Sequence, residues 1–416
     1  MNGESVMIIR KIRKEELSKR DIISSVCFEQ PYSSRTPDEL YEEYIRPTNR
    51  IEENWDNRWC AFLDDGETMV SSIGSFPYDM YFDGHEVKIG AISGVITMPQ
   101  YRKHGAVREC LKKAFLEMYE HNIPFSYLYP FSTKYYNKFG YESVMKKVVW
   151  TLPLSSIKQT NIGGTVKFYQ PEDDITDLKI IYNSCMKDCN YAIIRNNLDW
   201  NFFAKTFALD NTPQFFTYSF TDNNGIPKSF ITFYKDKDMF NRKLMVCKNF
   251  FCVDFEGLCG ILQFVQNFSA NYDAIKFTLP EFFRPEKAFS EFTVDYEYMI
   301  SSFHGMARII DVEKVLKLAK YNGSGKVTIS LTDSYCPWNE GIYEIVFSQG
   351  NLKTLKKLLN DADIDAQMEI DDFTALISGR YSSTDFKYLP GLIVHGNTEN
   401  LSKIFYRKKI FIWDLF

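Results

Sequence analysis

Between Gly94 and Arg108 the chain reads G-V-I-T-M-P-Q-Y-R-K-H-G-A-V-R, a run whose residue types suit phosphate. Arg102, Lys103, His104 and Arg108 bring positive charge or N–H donors to the few positions around Gly105. An apolar, β-prone run from Ile89 to Ile96 precedes them, and Pro99 stops it. After Gly105, Ala106, Val107, Cys110, Leu111, Ala114, Phe115 and Met118 recur at the spacing of one helix face. The spacing predicts a strand, a basic turn and then a helix. The first N–H groups of that helix have no partner of their own, its dipole is positive there, and Gly105 lets main chain approach an anion closely. The chemistry this suits is the binding of a diphosphate.

A basic turn before a helix is common, so the next two motifs along the chain carry the assignment. They are Ser126-Tyr-Leu-Tyr-Pro-Phe-Ser132 and Tyr135-Tyr-Asn-Lys-Phe-Gly-Tyr141, a short strand leading into a Y-x-K-F-G-Y turn. One helix after a basic-Gly loop, this combination resembles the acetyl-CoA site of the GNAT N-acyltransferase superfamily. The resemblance implies that Lys103, His104, Gly105, Ala106, Val107 and Arg108 hold the cofactor's diphosphate, with Arg102 flanking. It also implies that Val95, Ile96 and Thr97 pair through backbone groups with the pantetheine arm. That arm would thread between the strand ending near Thr97 and one ending near Pro130, with Phe131 and Ser132 touching it there. Two departures bear on CoA affinity: Val107 stands where the superfamily loop expects a small residue, and His104 replaces a basic one.

The elements that position these residues sit in a chain of 416 residues, enough for two or three domains. A hydrophobic content of 45% with 25% charged residues describes a globular protein. The formal charge of −5 argues against nucleic acid as a partner and favours cationic substrates. Nine cysteines without a C-x-x-C pair read as reduced thiols, and five scattered histidines without H-E-x-x-H give no metal site. There is no apolar signal-peptide core near the N-terminus and no run of about 20 apolar residues, so a cytoplasmic, non-membrane protein is expected.

To about residue 150 the patterns alternate between helix and strand. Thr36-Pro-Asp-Glu39 is a capping box opening a helix through Tyr44. Asp64-Asp-Gly66 divides strands Trp59–Leu63 and Met69–Phe76, and Asp83-Gly84 divides Tyr78–Phe82 from Glu86–Ile96. After the turn-rich Thr160–Thr165 the order repeats: strand Val166–Tyr169, helices Ile175–Cys189 and Leu198–Thr206, then strands Gln214–Phe220, Lys228–Tyr234 and Leu244–Val253. An amphipathic helix (Leu258, Ile261, Leu262, Val265, Phe268) and strand Ala274–Leu279 complete this second copy. Asp254 and Glu256, with no Arg or Lys in the loop, stand where the diphosphate would go, so this copy is expected to lack the site. From about 290 the pattern is helix Val312–Ala319, strands Lys326–Asp333, Gly341–Phe347 and Asp365–Glu369, helix Asp371–Ser378, Leu389–Ile393, and a helix around Asn397–Tyr406.

Two GNAT-like domains, a small α+β unit and a final aromatic residue resemble the enhanced intracellular survival (Eis) family. The resemblance implies an α/β (α+β) fold class: tandem GNAT-like domains over 1–152 and 153–290, the second lacking the acetyl-CoA site, then a sterol-carrier-protein-like domain over 291–416. It further implies Tyr136 as general acid, with neighbouring Tyr135 as the alternative, and the α-carboxylate of Phe416 as general base, with no metal. An unperturbed Tyr, with a pKa of about 10, is protonated at neutral pH and suits a departing thiolate. The apolar Phe411, Ile412, Trp413 and Leu415 can offset the entropy of fixing the tail.

The function expected is acetyl transfer from acetyl-CoA to amines of a polycationic, aminoglycoside-like small molecule. A protein lysine or polyamine acceptor is the second reading, and a non-catalytic CoA- or lipid-binding protein the third. Hexameric assembly is expected from the resemblance alone.

Overall fold

The computed structural model describes residues 7–32, 34–45, 55–200, 214–290, 299–358 and 363–414. Two compact units account for the chain: Met1–Met145 with Gly305–Phe416, and Lys146–His304. The architecture is mixed α/β, as the alternating patterns predict.

In the first unit β1 (Ile8–Lys11), β2 (Arg58–Phe62), β3 (Met69–Phe82) and β4 (His85–Thr97) form an antiparallel meander. Helix α1 (Leu17–Phe28) and α2 (Pro37–Tyr44) precede β2, and α2 opens with the expected capping box, Thr36 accepting from the Glu39 N–H. Their side of the sheet buries Ile12, Leu17, Ile23, Leu40, Cys60, Phe62 and Ile96. The opposite side packs α3 (Ala106–Glu120), whose buried residues are the seven apolar positions of the predicted stripe. Strand β5 (Phe125–Leu128) then runs parallel to β4, and the short helix α4 (Thr133–Asn137) begins the Y-x-K-F-G-Y turn.

One expectation is corrected here. Met69–Phe76 and Tyr78–Phe82 are a single strand running through Pro77. Pairing of β3 with β2 ends at Gly74, so the N–H that Pro77 lacks is not needed on that edge.

The second unit is a sheet in the order β6 (Glu142–Pro153), β11 (Ala274–Pro280), β10 (Lys243–Cys252), β9 (Pro227–Lys237), β8 (Phe216–Asp222) and β7 (Gly164–Tyr169). Helices α5 (Thr176–Met186) and α6 (Phe255–Val265) pack on it, and β10 and β11 are parallel, as β4 and β5 are. The predicted helix Leu198–Thr206 falls mostly outside the described residues.

Strand β12 (Met299–Ile309), unread in the sequence, returns the chain to the first unit, where Met306–Ile309 pair with β5. Helix α7 (Val312–Leu318) leads to a five-stranded sheet, β15-β14-β13-β16-β17, formed by β13 (Gly325–Thr332), β14 (Gly341–Ser348), β15 (Asn351–Leu358), β16 (Ala366–Glu369) and β17 (Ile393–Val394). Helices α8 (Ile370–Ile377) and α9 (Thr398–Ile404) complete it.

Candidate active site

The parallel ladder between β4 and β5 ends at Ile92↔Leu128, yet β4 runs on to Thr97. Gly94 causes the divergence. It has φ +56°, and the register of β4 on β3 slips there, from Gly74↔Ser93 to Ser72↔Ile96. A bulge bends the strand and re-aims the residues beyond it. Val95, Ile96 and Thr97 therefore extend past their ladder on the β5 side, leaving an edge that an extended ligand arm can join. Thr97 is fixed from several sides: its Oγ1 lies 2.9 Å from Ser71 Oγ, and its carbonyl accepts from Arg102 Nε and Cys27 Sγ.

The basic turn comes next. Gly105 is the N-cap of α3 in the left-handed region, φ +85°, and provides no side-chain cap. Lys103 also has positive φ, +70°. The N–H groups of His104, Gly105, Ala106 and Val107 donate to no acceptor among the described residues, and the first backbone bond onto Gly105 comes from Glu109. Arg102, Lys103 and Arg108 stand around them, Arg108 Nε resting on Glu109 at 2.8 Å. Four successive open donors at a helix N-terminus, with cations beside them, fit a diphosphate. Val107 is buried with the α3 core, so its size does not narrow the turn.

The corresponding turn of the second unit differs in kind. There Asp254 caps α6 through the Gly257 N–H, and Lys228 bridges it and Glu256 at 2.8 and 3.5 Å. The helix end is already filled by the chain's own carboxylate. The cation comes from β9, outside the loop where sequence alone finds none.

After β5, Phe131 is 73% exposed and its ring meets Tyr135 and Tyr136 at 5.2 and 5.3 Å. Ser132 caps α4 by accepting from the Tyr135 N–H. Tyr136 is 2% exposed, walled by Tyr135, Phe131 and Tyr141, and its hydroxyl makes no hydrogen bond to a described residue. Burial, with a smaller push from Tyr135, raises its pKa well above the ordinary phenol value. It holds its proton at neutral pH. Tyr141 is anchored by Ser126, whose Oγ lies 2.6 Å from its hydroxyl and donates to the Gly90 carbonyl.

Sequence reasoning missed the residue behind this turn. Arg308, fully buried on β12, donates from Nη1 to the Phe139 carbonyl at 2.7 Å and from Nη2 to both oxygens of Asp333. A Cβ on Gly140, φ +75°, would fall 1.8 Å from that Nη1, so the FG pair is fitted to the arginine. The available signal was one charge inside the apolar run M-A-R-I-I.

Phe416 lies outside the described residues, as does Leu415. The chain before them is buried at Phe411 and Ile412, and the Ile412 N–H meets Met145 Sδ. The Asp414 carbonyl accepts from Tyr129 Oη at 2.7 Å, immediately beyond the end of β5. All nine cysteines are free, and among the described residues no cluster of three or more His, Cys, Asp or Glu is arranged for a metal. No described helix is long and apolar enough to cross a membrane.

The family model for the acetyltransferase (GNAT) domain matches residues 8–144, and that for the sterol carrier protein domain matches 312–413. No curated protein sequence matches. Among solved structures, a GCN5-related N-acetyltransferase from Anabaena variabilis superposes with a TM-score of 0.82 at 17% identity, over 99% of this chain and 100% of that one. A probable N-acyltransferase from Enterococcus faecalis gives 0.78 at 17%, over 99% and 100%. Eis1 from Mycobacterium abscessus gives 0.78 at 12%, again over 99% and 100%. At such identities the likeness is one of fold, and it extends over nearly the whole chain. Residues 8–144 thus form a GNAT acetyltransferase domain and residues 312–413 a sterol carrier protein domain, within a fold that follows that of Eis1 along nearly the whole chain.

Proposed function

We propose that the protein transfers acetyl from acetyl-CoA to an amine of a polycationic small molecule, with Tyr136 as general acid and the Phe416 carboxylate as general base. The observation that carries the reading is the pairing of two features on one strand–turn–helix. These are the unladdered edge at Val95–Thr97 and the open main-chain donors from His104 to Val107. Together they suit a ligand with an extended amide arm and a diphosphate, the cofactor side being Val95, Ile96, Thr97, Arg102 to Arg108, Phe131 and Ser132.

In the transfer the acceptor's nitrogen forms a bond to the acetyl carbon, the carbon–sulfur bond breaks, and the thiolate takes the Tyr136 proton. The ammonium proton goes to the carboxylate, directly or through water. A free α-carboxylate, with a pKa of about 3.5, is a weak base, and burial would strengthen it. The link from Tyr129 to the Asp414 carbonyl favours this role, since it tethers the tail where β5 ends.

The polycationic acceptor rests on the net charge of −5 and on a cavity of about 250 Å³ behind the turn at Asn137, where Glu340, Glu369 and Asp371 outnumber the one described lining cation that has no buried carboxylate partner, Lys138. A protein lysine or a polyamine is the second acceptor class. Domains at 1–152, 153–290 and 291–416, a hexamer and a cytoplasmic location belong to the same proposal. The test is thiol release from acetyl-CoA with kanamycin-like amines, polyamines and lysine peptides, and mass spectrometry of the products. Release with none of them overturns the acceptor assignment; no heat with CoA at millimolar concentration overturns the cofactor assignment.

A further inference from the structure

On the α1–α2 side of the bulge two guanidinium groups stand together without a carboxylate among the described residues. Arg58, the first residue of β2, is 3% exposed. Its guanidinium lies over the rings of Tyr44 and Phe76, 4.7 and 5.1 Å from their centroids, and donates from Nη1 to the Trp55 carbonyl. Arg20 on α1 donates from Nη1 to Tyr44 Oη at 3.4 Å, and its buried Nε has no acceptor among the described residues. Its Nη2 lies 3.0 Å from where a Cβ on Gly94 would be, against the bulge itself. No carboxylate of a described residue comes within ion-pair distance of either group. Burial lowers the Arg58 pKa to about 10; Tyr44 opposes that shift, the charge of Arg20 adds to it, and Cys60 and Asp56 oppose it more weakly.

Buried charges in proteins are normally paired, and an unpaired buried donor has a substantial cost. Two other buried cations follow the rule: Arg308 has Asp333, and Lys408 has Asp83. Arg58, with half-buried Arg20 beside it, lacks such a partner among the described residues, and the two sit at the strand deviation that opens the transfer site. Planar guanidinium groups, one of them locked between aromatic rings, are suited to a carboxylate or phosphate.

We propose that Arg20 and Arg58 form an anion subsite, which holds a carboxylate or phosphate of the acceptor while its amine is acetylated. The inference rests on the transferase reading, and it favours an acceptor with one anionic group beside its amine over a purely cationic one.

The test has a binding arm and a transfer arm, both on the full chain saturated with CoA or acetyl-CoA so that the turn at Gly105 is occupied. Calorimetry with inorganic phosphate should give a signal that Arg20→Met weakens at least tenfold. Transfer rates should favour lysine over cadaverine, and glucosamine 6-phosphate over glucosamine, at least tenfold through KM. The preferred pair tells carboxylate from phosphate. Arg20→Met and Arg58→Met should bring that preference toward one; Arg20→Met, at a half-buried position, serves if Arg58→Met fails to fold. Phosphate heat unchanged in Arg20→Met, or matched amines used equally, overturns the subsite. Phosphate binding without transfer to any amine overturns the transferase reading instead, because the binding arm needs no turnover.

Discussion

Arg308 donates from Nη1 to the carbonyl of Phe139 at 2.7 Å, closing from behind the turn that carries Tyr136. Its other nitrogen grips Asp333, in the loop after β13, so three distant stretches of chain meet on one cation. Arg308→Met leaves the Asp333 carboxylate buried without its cation, held only by neutral donors from Tyr335, Cys336 and Asn339, and should cost about 3–5 kcal/mol in urea unfolding. Arg308→Lys keeps the charge without the fork. It should cost less, leave the Kd for CoA unchanged and lower kcat, as expected if the turn's placement matters for proton delivery.

Tyr136→Phe should be thermodynamically silent. The hydroxyl has no partner among the described residues, so its removal should change unfolding free energy by less than about 0.5 kcal/mol. Turnover should fall by about 10²–10⁴ with CoA affinity retained, the range for losing a general acid. Unchanged turnover would exclude Tyr136 from that role.

At Gly105 the left-handed conformation and the open donors coincide. Gly105→Ala places a Cβ 2.8 Å from Arg108 Nη2 at φ +85°. The strain, about 1–2 kcal/mol, should appear as lost stability. The turn it distorts should bind CoA about tenfold more weakly by calorimetry.

The tether of the tail is testable through Tyr129. Tyr129→Phe removes its hydrogen bond to the Asp414 carbonyl, worth about 1 kcal/mol, and should slow transfer while leaving CoA binding intact. Appending one residue after Phe416 should have a larger effect on rate and almost none on melting temperature. Equal rates in the extended chain would remove the carboxylate from the mechanism.

Asp372 on α8 gives a pH dependence of stability. Burial, reinforced by Asp371, Glu142 and Glu369, raises its pKa to about 6. A carboxyl whose folded pKa exceeds its unfolded value stabilises the fold while protonated, and that contribution is lost as pH rises through about 4 to 6. The group is partly solvated, so the screened loss should be about 1 kcal/mol. Asp372→Asn should flatten the slope in urea midpoints taken at pH 4.5 and 7; an unchanged slope would assign it to another group.

Much of the site was legible because its signals are local. Period and punctuation around Gly94, Pro99 and Gly105 fix a strand, a stop and a helix within one stretch, and the α3 stripe was read residue for residue. The capping box at Thr36 and the hairpin turns at Gly66 and Gly84 are decided by the few residues that make them. Where local pattern and tertiary pairing disagree, the sequence misleads. Leu352, Leu355 and Leu358 have a helical spacing of three, yet they lie on β15, where pairing to β14 outweighs a weak local preference.

By itself, then, the sequence determined which residue types lie together along the chain: the basic turn, the aromatic turn, the acidic counterpart in the second copy. Tertiary structure alone decided which of those groups are paired. It brought Arg308 to Phe139 from 169 positions away, set Lys228 against Asp254, and left Arg20 and Arg58 without a carboxylate among the described residues. Charge compensation between distant segments depends on distances through space, which no local spacing encodes.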